Sequence, residues 1–564
     1  MRKTIILALL TIVATLTTHA DIDKGTTGAL VTITTSGITR NQIGTANGFA
    51  ITTPLADGTT REEIISTYSP FKGAAAATVS LDKSKKAQAL RISGANDLYD
   101  VVKFTIDTPA PHPLSIAAQP LAIGAKAFIL HPASAKGNVL TPITIEQATT
   151  HSGLTYYTIS TTFNKAYVGC PMLNENGEVV GVIQNNASGE TAKTFAIGIE
   201  FNSALEVGTM SAADPSLAAI LMPKLLPAGK DQAASYLYLL TKNSTDSLSY
   251  LANLQDYIDA YPAATFGYTE RAAYYTTSGQ YAKAEADYAN ALEACDDKAD
   301  VHHSMSVALY RLNQRTDYQT YKDWTLDRAL TEAQQAYATN ASPFYLVQQG
   351  KCLYGLKRYM EAHDVYAKIN QTNFRSSENL YYQSRSLEMA GGDSTKILAL
   401  LDSAVERFIR PLKGDAAPYL YYRAQQYHKY GYYAQAYFGY KEYEELVGDA
   451  NLNEKFFYTK EQAGFRANFY PQALADIEKV LLINPNEYIY LIEKALIETR
   501  IGNYEDAIYT ATQAQKIDPE DPDSYKIIGI SQGELGNKAE ARKNLQKAIE
   551  LGDDDAASWL NSIK

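Results

Sequence analysis

Hydrophobic and polar residues follow two different patterns along the chain. Between residues 21 and 210, apolar and polar positions alternate in short runs that are separated by Gly, Asn, Asp and Pro. An alternation of period two is typical of strands that bury one face. Runs of this kind include GALVTITTSG, GFAITTP, VVKFTID, KAFILHP and GEVVGVIQ. Many short strands joined by turn residues predict an all-β barrel or sandwich for residues 21–210.

The second pattern begins after a stretch containing Pro and Gly, residues 211–231, which we interpret as a linker. From residue 232 to residue 564, apolar residues recur at helical spacing among Ala, Tyr, Leu, Glu and Lys. A turn motif recurs every 34 residues, beginning at Asn468, Gly502 and Gly536. This is the period of the tetratricopeptide repeat (TPR), a pair of antiparallel helices. We therefore predict an α-solenoid of about eight to nine repeats.

Tyrosine is frequent in the chain, with 42 residues among 564. Tyr268, Tyr275 and Tyr288 stand at positions where aromatic side chains fill the space between the two helices of a repeat. Packing inside the repeats is one interpretation of the excess, and a tyrosine-lined binding groove is the other. The sequence leaves both interpretations open.

The first 20 residues have the organisation of a secretory signal peptide. Arg2 and Lys3 precede a short apolar run, and Ala20 provides a small-residue cleavage site before Asp21. This organisation predicts export across an inner membrane into the periplasm, with cleavage after Ala20. No later apolar run reaches the ~18 residues that a transmembrane helix needs, so we expect no transmembrane segment in the mature chain.

Charge and metal-ligating residue types narrow the classes of function. The formal net charge of −11 disfavours nucleic acid as a partner, because phosphate binding requires a basic surface. The histidines show no metal-ligand spacing, so neither a metal nor a cofactor is predicted. The cysteines, Cys170, Cys295 and Cys352, are too few and too scattered for a disulfide framework, which leaves a single pair open.

Several segments of the β-rich half resemble the trypsin-like serine proteases, and most closely their bacterial Deg-type branch. These segments are IGTANGFAI, STYSPFKGA, YDVVKFTID, KAYVGCPMLNENGEVVGVI and TFAIGIEFNSAL, and together they cover roughly residues 25–205. The resemblance implies the chymotrypsin-like fold, a double β-barrel, followed in this chain by the TPR helices. In that class a histidine, an aspartate and a serine form the catalytic triad.

The same resemblance places three triad positions in this sequence. Val168 falls at the nucleophile, Ser69 at the general base and Asp100 at the aspartate. Valine has no nucleophilic atom, and serine cannot act as an imidazole does near neutral pH. The sequence therefore predicts a degenerate triad and a protein that is not an enzyme.

Cys170 is an outside candidate for the nucleophile. It lies two positions beyond Val168, directly before Pro171. Ser69, and not a histidine, falls at the general-base position. The histidines of this half, His112, His131 and His151, lie elsewhere in the domain.

The two halves together predict an exported, non-catalytic scaffold or adaptor that binds proteins or peptides. Repeat arrays present an extended concave surface that suits peptide capture, and the protease-like cleft is a second candidate surface. The alternative is an active trypsin-like serine endopeptidase, or a Cys170-dependent one, with a TPR domain for partner binding.

Overall fold

The computed structural model describes residues 26–55, 58–81, 85–133, 137–186, 189, 192–243 and 247–563. The predicted signal peptide and its cleavage after Ala20 lie outside the described residues. The chain divides into two compact units, one ending at Asp297 and the other beginning at Lys298.

Six strands of the first unit close into a first β-barrel in the order β1-β2-β3-β6-β5-β4. Apolar side chains alternate along the strands and point into a core that includes Ile33, Ala50, Ile64, Val79 and Phe104. The strands are β1 Leu30–Ser36, β2 Gln42–Pro54, β3 Thr60–Ser66, β4 Ala76–Ser80, β5 Lys86–Asn96 and β6 Val101–Ile106.

Six further strands close into a second barrel in the order β10-β11-β12-β9-β8-β7. Its apolar core also includes Phe49, Ile51, Ile65 and Val101 of the first barrel, so the two barrels pack through apolar side chains. The strands are β7 Lys126–Ala133, β8 Gly137–His151, β9 Leu154–Ile159, β10 Pro171–Leu173, β11 Val179–Ile183 and β12 Thr194–Gly198. The predicted double β-barrel is confirmed.

The segment interpreted as a linker is held against the first barrel. It contains α2 (Pro215–Ala218), which follows the short α1 (Phe201–Ala204). Backbone amides pair the segment with the barrel on both sides: Gly73 donates to Ala219, Leu221 to Ala74, Ile92 to Pro223 and Leu225 to Ile92, at 2.8–2.9 Å. Leu217, Ile220 and Met222 are buried in the core of the first barrel. We call residues 211–229 the connector.

Two helix pairs complete the first unit. They are α3 (Lys230–Asn243) with α4 (Ser247–Ala260), and α5 (Thr265–Thr277) with α6 (Tyr281–Ala294). Tyr236 and Leu237 of α3 and Leu254 and Tyr257 of α4 belong to the same buried cluster as the first barrel. The first helix pair therefore shares its core with the barrel and does not form a separate body.

The second unit is built from seven helix pairs and a final short helix, α21 (Ala556–Ser562). We call the first member of each pair the first helix and the other the second helix. The first helices are α7 Lys298–Asn313, α9 Pro343–Gly355, α11 Ser377–Met389, α13 Ala417–Lys429, α15 Glu454–Arg466, α17 Tyr488–Ile501 and α19 Pro522–Glu534. The second helices are α8 Leu326–Thr339, α10 Tyr359–Asn370, α12 Ser394–Glu406, α14 Tyr433–Val447, α16 Tyr470–Ile483, α18 Tyr504–Ile517 and α20 Lys538–Glu550.

The 34-residue turn motif lies between the two helices of a pair. Gly502 ends α17 with φ +84°, Gly536 follows α19 with φ +81°, and Asn468 follows α15 with φ +61°. These left-handed conformations end the first helix, and Gly and Asn adopt them at least cost. The predicted α-solenoid of TPR helix pairs is confirmed. In the described parts of the chain, no helix is both long enough and apolar enough to span a membrane.

Candidate functional site

Two of the three predicted triad positions meet at the junction of the barrels. Ser69 begins a short 3-10 turn after β3, and Asp100 stands directly before β6 with φ +48°. The backbone amide and the hydroxyl of Ser69 both donate to Asp100 Oδ1, at 2.8 and 2.6 Å. The aspartate therefore accepts two hydrogen bonds from the residue at the general-base position.

The third predicted position, Val168, lies on a loop that is fixed against β2. The Asn47 side-chain amide donates to the carbonyl oxygens of Ala166 and Val168, at 3.0 Å each. A Cβ atom at Gly169, where φ is +81°, would lie 2.5 Å from the Asn47 carbonyl oxygen, so only glycine fits. The same Asn47 oxygen accepts a hydrogen bond of 2.7 Å from the Ser66 hydroxyl. Asn47 thus joins the Val168 loop to the end of the strand that leads to Ser69.

The amide groups of this loop already have acceptors. Asn164 caps the 3-10 turn Lys165–Tyr167 and accepts from the Ala166 amide at 2.9 Å. The Val168 amide donates to the Lys165 carbonyl at 3.3 Å. Backbone amides at a nucleophile loop serve as oxyanion donors when they are free to point at the substrate. In this conformation an oxyanion would have to compete with the Asn164 side chain for the Ala166 amide and with the Lys165 carbonyl for the Val168 amide.

Cys170 is fully buried behind the loop. Its thiol lies 3.5 Å from the Ala166 carbonyl oxygen, and burial raises the pKa of the thiol far above its ordinary value. A cysteine nucleophile reacts as the thiolate, which this surrounding disfavours. No disulfide joins Cys170, Cys295 and Cys352, so the pairing left open by the sequence does not form.

His131 comes closer to the loop than the sequence indicated. The pairing of β7 with β10 brings its ring to a centroid distance of 4.5 Å from Tyr167. Its two ring nitrogens lie 3.0 Å from the Pro132 carbonyl and 2.8 Å from the Thr141 hydroxyl. His151 ends β8, opposite Leu154. The position of His131 depends on the register in which β7 pairs with its neighbouring strands, and the local sequence does not predict that register.

Ser216 of the connector ties together the two segments that carry Ser69 and Asp100. Its carbonyl oxygen accepts from the Tyr68 hydroxyl at 3.1 Å. Its hydroxyl donates to Asp97 Oδ1 at 3.1 Å and accepts from the Asp97 amide at 3.2 Å. The sequence does not predict this contact, because residues 211–231 have the composition of a linker.

A second candidate site runs along the first helices of the second unit. The ring of Tyr381 on α11 lies 5.0 Å from that of Tyr422 on α13, and Arg385 stacks 5.0 Å above Tyr422 while donating to the Tyr354 hydroxyl at 3.2 Å. Further along, Tyr458 on α15 and Tyr490 on α17 lie 5.0 Å apart. We call Tyr354, Tyr381, Arg385, Tyr422, Tyr458 and Tyr490 the tyrosine face.

The tyrosines of the repeats serve two different purposes. Tyr288, Tyr366 and Tyr440 are buried between helices and fill the core. Every residue of the tyrosine face, by contrast, keeps part of its surface exposed. The excess of tyrosine therefore reflects both packing and a partly exposed aromatic surface.

Comparison with known proteins gives limited matches. No model of a protein family matches the chain. The small glutamine-rich tetratricopeptide repeat-containing protein 2 of Mycosarcoma maydis is 33% identical over 85 residues, which are 15% of this chain and 24% of that protein. This chain thus spans about a quarter of that relative's length.

Two groups of solved structures are similar to different parts of the chain. The Rv3671c protease of M. tuberculosis in its active form is 20% identical, with a TM-score of 0.28, over 37% of this chain and 87% of that one. YrrB, a TPR protein with an unusual peptide-binding site, is 18% identical, with a TM-score of 0.28, over 35% of this chain and 97% of that one.

The chain thus resembles a trypsin-like serine protease domain joined to TPR repeats. The prediction that it is not an enzyme is overturned, because the solved structures similar to it include a serine protease in its active form. An absence of activity is accordingly not an established property of the chain. Among the described residues, no group of three or more His, Cys, Asp and Glu side chains is placed to hold a metal ion.

Proposed function

We propose that the chain binds other proteins, taking up an extended segment of a partner along the tyrosine face. The observation that carries this proposal is the contact of half-buried tyrosine rings from one first helix to the next, as in Tyr381–Tyr422 and Tyr458–Tyr490. Within each of these two contacts, neighbouring first helices present a shared aromatic surface instead of separate side chains. Repeat proteins use such extended surfaces for recognition.

The chemistry of the tyrosine face suits peptide recognition. A tyrosine ring offers a large contact area and has few side-chain torsions, so little conformational entropy is lost when it binds. Polar groups on the first helices fix these rings: Arg385 holds Tyr354 and Tyr422, and the Tyr422 hydroxyl also donates to Glu388. The rings are pre-organised, which lowers the cost of association.

The barrel half supplies the second part of the proposal. We propose that Ser69, Asp100 and Val168 occupy the triad positions of a protease-like cleft that also holds a partner segment. The support is geometric, since hydrogen bonds fix both walls: Ser69 to Asp100, and Asn47 to the Val168 loop. The first 20 residues support the further proposal that the chain acts after export, in the periplasm.

A peptide selection tests the role of the tyrosine face. Peptides are selected from a random library against the mature chain, and their Kd is measured for a Tyr381→Ala, Tyr458→Ala double variant. We expect at least about tenfold weaker binding, because buried aromatic anchors carry much of the energy of an interface.

Tyr509→Ala is the matched control. Tyr509 lies on the second helix α18 and is 69% exposed, so its loss removes a tyrosine outside the tyrosine face. The control should bind within twofold of the unchanged chain. Circular dichroism and thermal unfolding confirm that each variant is folded. A library that yields no binding peptide, or equal weakening in the control, would contradict the proposal.

A further inference from the structure

The first helices α15 and α17 repeat one arrangement of a tyrosine and a glutamate. Tyr458 precedes Glu461 by three residues on α15, and Tyr490 precedes Glu493 by three residues on α17. Residues three apart lie on the same side of a helix. The tyrosine rings touch across the two helices at 5.0 Å, so both glutamates face the same junction.

Glu461 is a buried acid whose carboxyl group is only partly satisfied. It is 0% exposed. Its Oε2 accepts a hydrogen bond of 2.9 Å from Gln462, whereas its Oε1 has no hydrogen-bond partner among the described residues. Buried polar atoms almost always have partners, so the unpaired carboxylate oxygen calls for an explanation, and a cation that binds there is one.

The neighbouring lysine on the same helix shows how a buried charge is usually compensated. Lys460 is also buried, and its ammonium group contacts both Asp476 and Glu444. In contrast, none of the ion pairs of the described residues includes Glu461 or Glu493. Neither glutamate therefore has an ion-pair partner of the kind that Lys460 provides for Asp476.

The charges around Glu461 and Glu493 are mainly negative. Burial and then the charge of Glu493 raise the pKa of Glu461 to about 8, with a smaller contribution from Asp476. Burial also raises the pKa of Glu493, with a smaller contribution in the same direction from Asp523 on α19. A hydrogen bond with Gln462 and the charge of Arg466 on α15 act in the opposite direction. A positive charge that entered the junction would relieve this repulsion.

The tyrosines provide the walls of the junction. Burial and the charges of Glu493 and Glu461 raise the pKa of Tyr458 to about 12, which places its hydroxyl within electrostatic reach of both acids. Carboxylates form strong hydrogen bonds with ammonium and guanidinium groups, and tyrosine rings attract the same cations. A divalent metal ion would require more oxygen ligands than this junction supplies.

We propose that Glu461 and Glu493, walled by Tyr458 and Tyr490, form a site for a lysine or arginine side chain of the bound partner segment. This proposal rests on the proposed function and names the chemistry of its partner. Cation binding favours the ionised carboxylate, so a proton leaves Glu461 for the solvent as the basic side chain enters. The site selects a basic position within the segment that the tyrosine face holds.

The test uses two peptides and the full mature chain. One peptide alternates leucine and serine and carries two lysines, and in the other glutamine replaces both lysines. We expect the lysine peptide to bind at least about tenfold more tightly, as a charge-assisted contact warrants. Calorimetry at pH 7 in two buffers of different ionisation enthalpy should also detect proton release with the lysine peptide.

A Glu461→Gln, Glu493→Gln double variant should lose both the preference and the proton release. Glu445→Gln is the matched control, since Glu445 on α14 is 67% exposed at its side chain and should leave both unchanged. If the double variant fails to fold, Glu493→Gln alone serves, because Glu493 is only half-buried. A preference that survives in the variant, or that is absent in the unchanged chain, overturns the proposal. Failure of both peptides while library-selected peptides bind would refute this site and leave the proposed function standing.

Discussion

A chain that ends at residue 207 is expected to lose its folded first barrel, whereas a chain that ends at residue 297 keeps it. The connector and the first helix pair contribute buried apolar side chains to the barrel core: Leu217, Ile220, Met222, Tyr236, Leu237, Leu254 and Tyr257. Burial of one such side chain contributes about 1.5–3 kcal/mol. Their combined loss is comparable with the whole stability of a domain, about 5–15 kcal/mol.

The truncation also removes backbone hydrogen bonds of the barrel. The amides of Gly73 and Ile92 would lose their acceptors, Ala219 and Pro223. Both chains would begin at residue 21 and be compared by circular dichroism, thermal unfolding and limited proteolysis. We expect a cooperative transition only for the longer chain. A cooperative transition at the same temperature in both would show that the barrel is independent of the connector.

The second large effect is expected at Lys460, which lies between two buried carboxylates. Its Nζ is 2.8 Å from Asp476 Oδ1 and also contacts Glu444. Lys460→Met would leave Asp476 charged, buried and without the lysine that pairs with it. Glu444, the other partner of Lys460, would keep its ion pair with Lys479. Removal of one partner from a buried ion pair costs about 3–5 kcal/mol, so the free energy of unfolding at pH 7.5 should fall by that amount.

The loss should depend on pH. Burial already raises the pKa of Asp476, and removal of Lys460 raises it further. A carboxyl group whose pKa is higher in the folded state than in the unfolded state binds its proton more tightly when the chain is folded. Protonation of the group therefore stabilises the folded state, and this stabilisation is lost as the pH rises through the raised pKa. The Lys460→Met variant should therefore lose less stability at pH 5 than at pH 7.5.

Urea unfolding at the two pH values measures this effect. Lys441→Met is the control, because Lys441 is half-exposed and lies 3.9 Å from the exposed Glu445. A surface pair of that kind contributes about 0–1 kcal/mol. If the free energy of unfolding fell equally in the two variants, burial would not explain the contribution of Lys460 to stability.

Much of the architecture follows from local sequence patterns. The run KAFILHP corresponds to β7, VVKFTID to β6 and GEVVGVIQ to β11. The long strand β8 is not among the runs named above, because only Ile143 and Ile145 of it are buried and its hydrophobic alternation is weak. The 34-residue period was readable because each repeat needs the same left-handed turn after its first helix.

The candidate sites were less accessible to sequence reasoning. The positions of Ser69 and Asp100 followed from the resemblance, and the structure brings the two residues together. The role of Asn47 could not be predicted, because it contacts residues more than a hundred positions away. The Pro and Gly content of the connector is typical of an irregular linker. Its order comes from backbone hydrogen bonds to the barrel, which composition does not predict.

Hydrogen exchange with a library-selected peptide tests the central claim, that the first helices of the second unit hold a partner segment. The mature chain is labelled with and without saturating peptide, and protection is mapped along the sequence. We predict new protection in the first helices α9, α11, α13, α15 and α17, with little change in α10, α12, α14 and α16. Protection confined to the second helices, or to the barrels, would contradict the account.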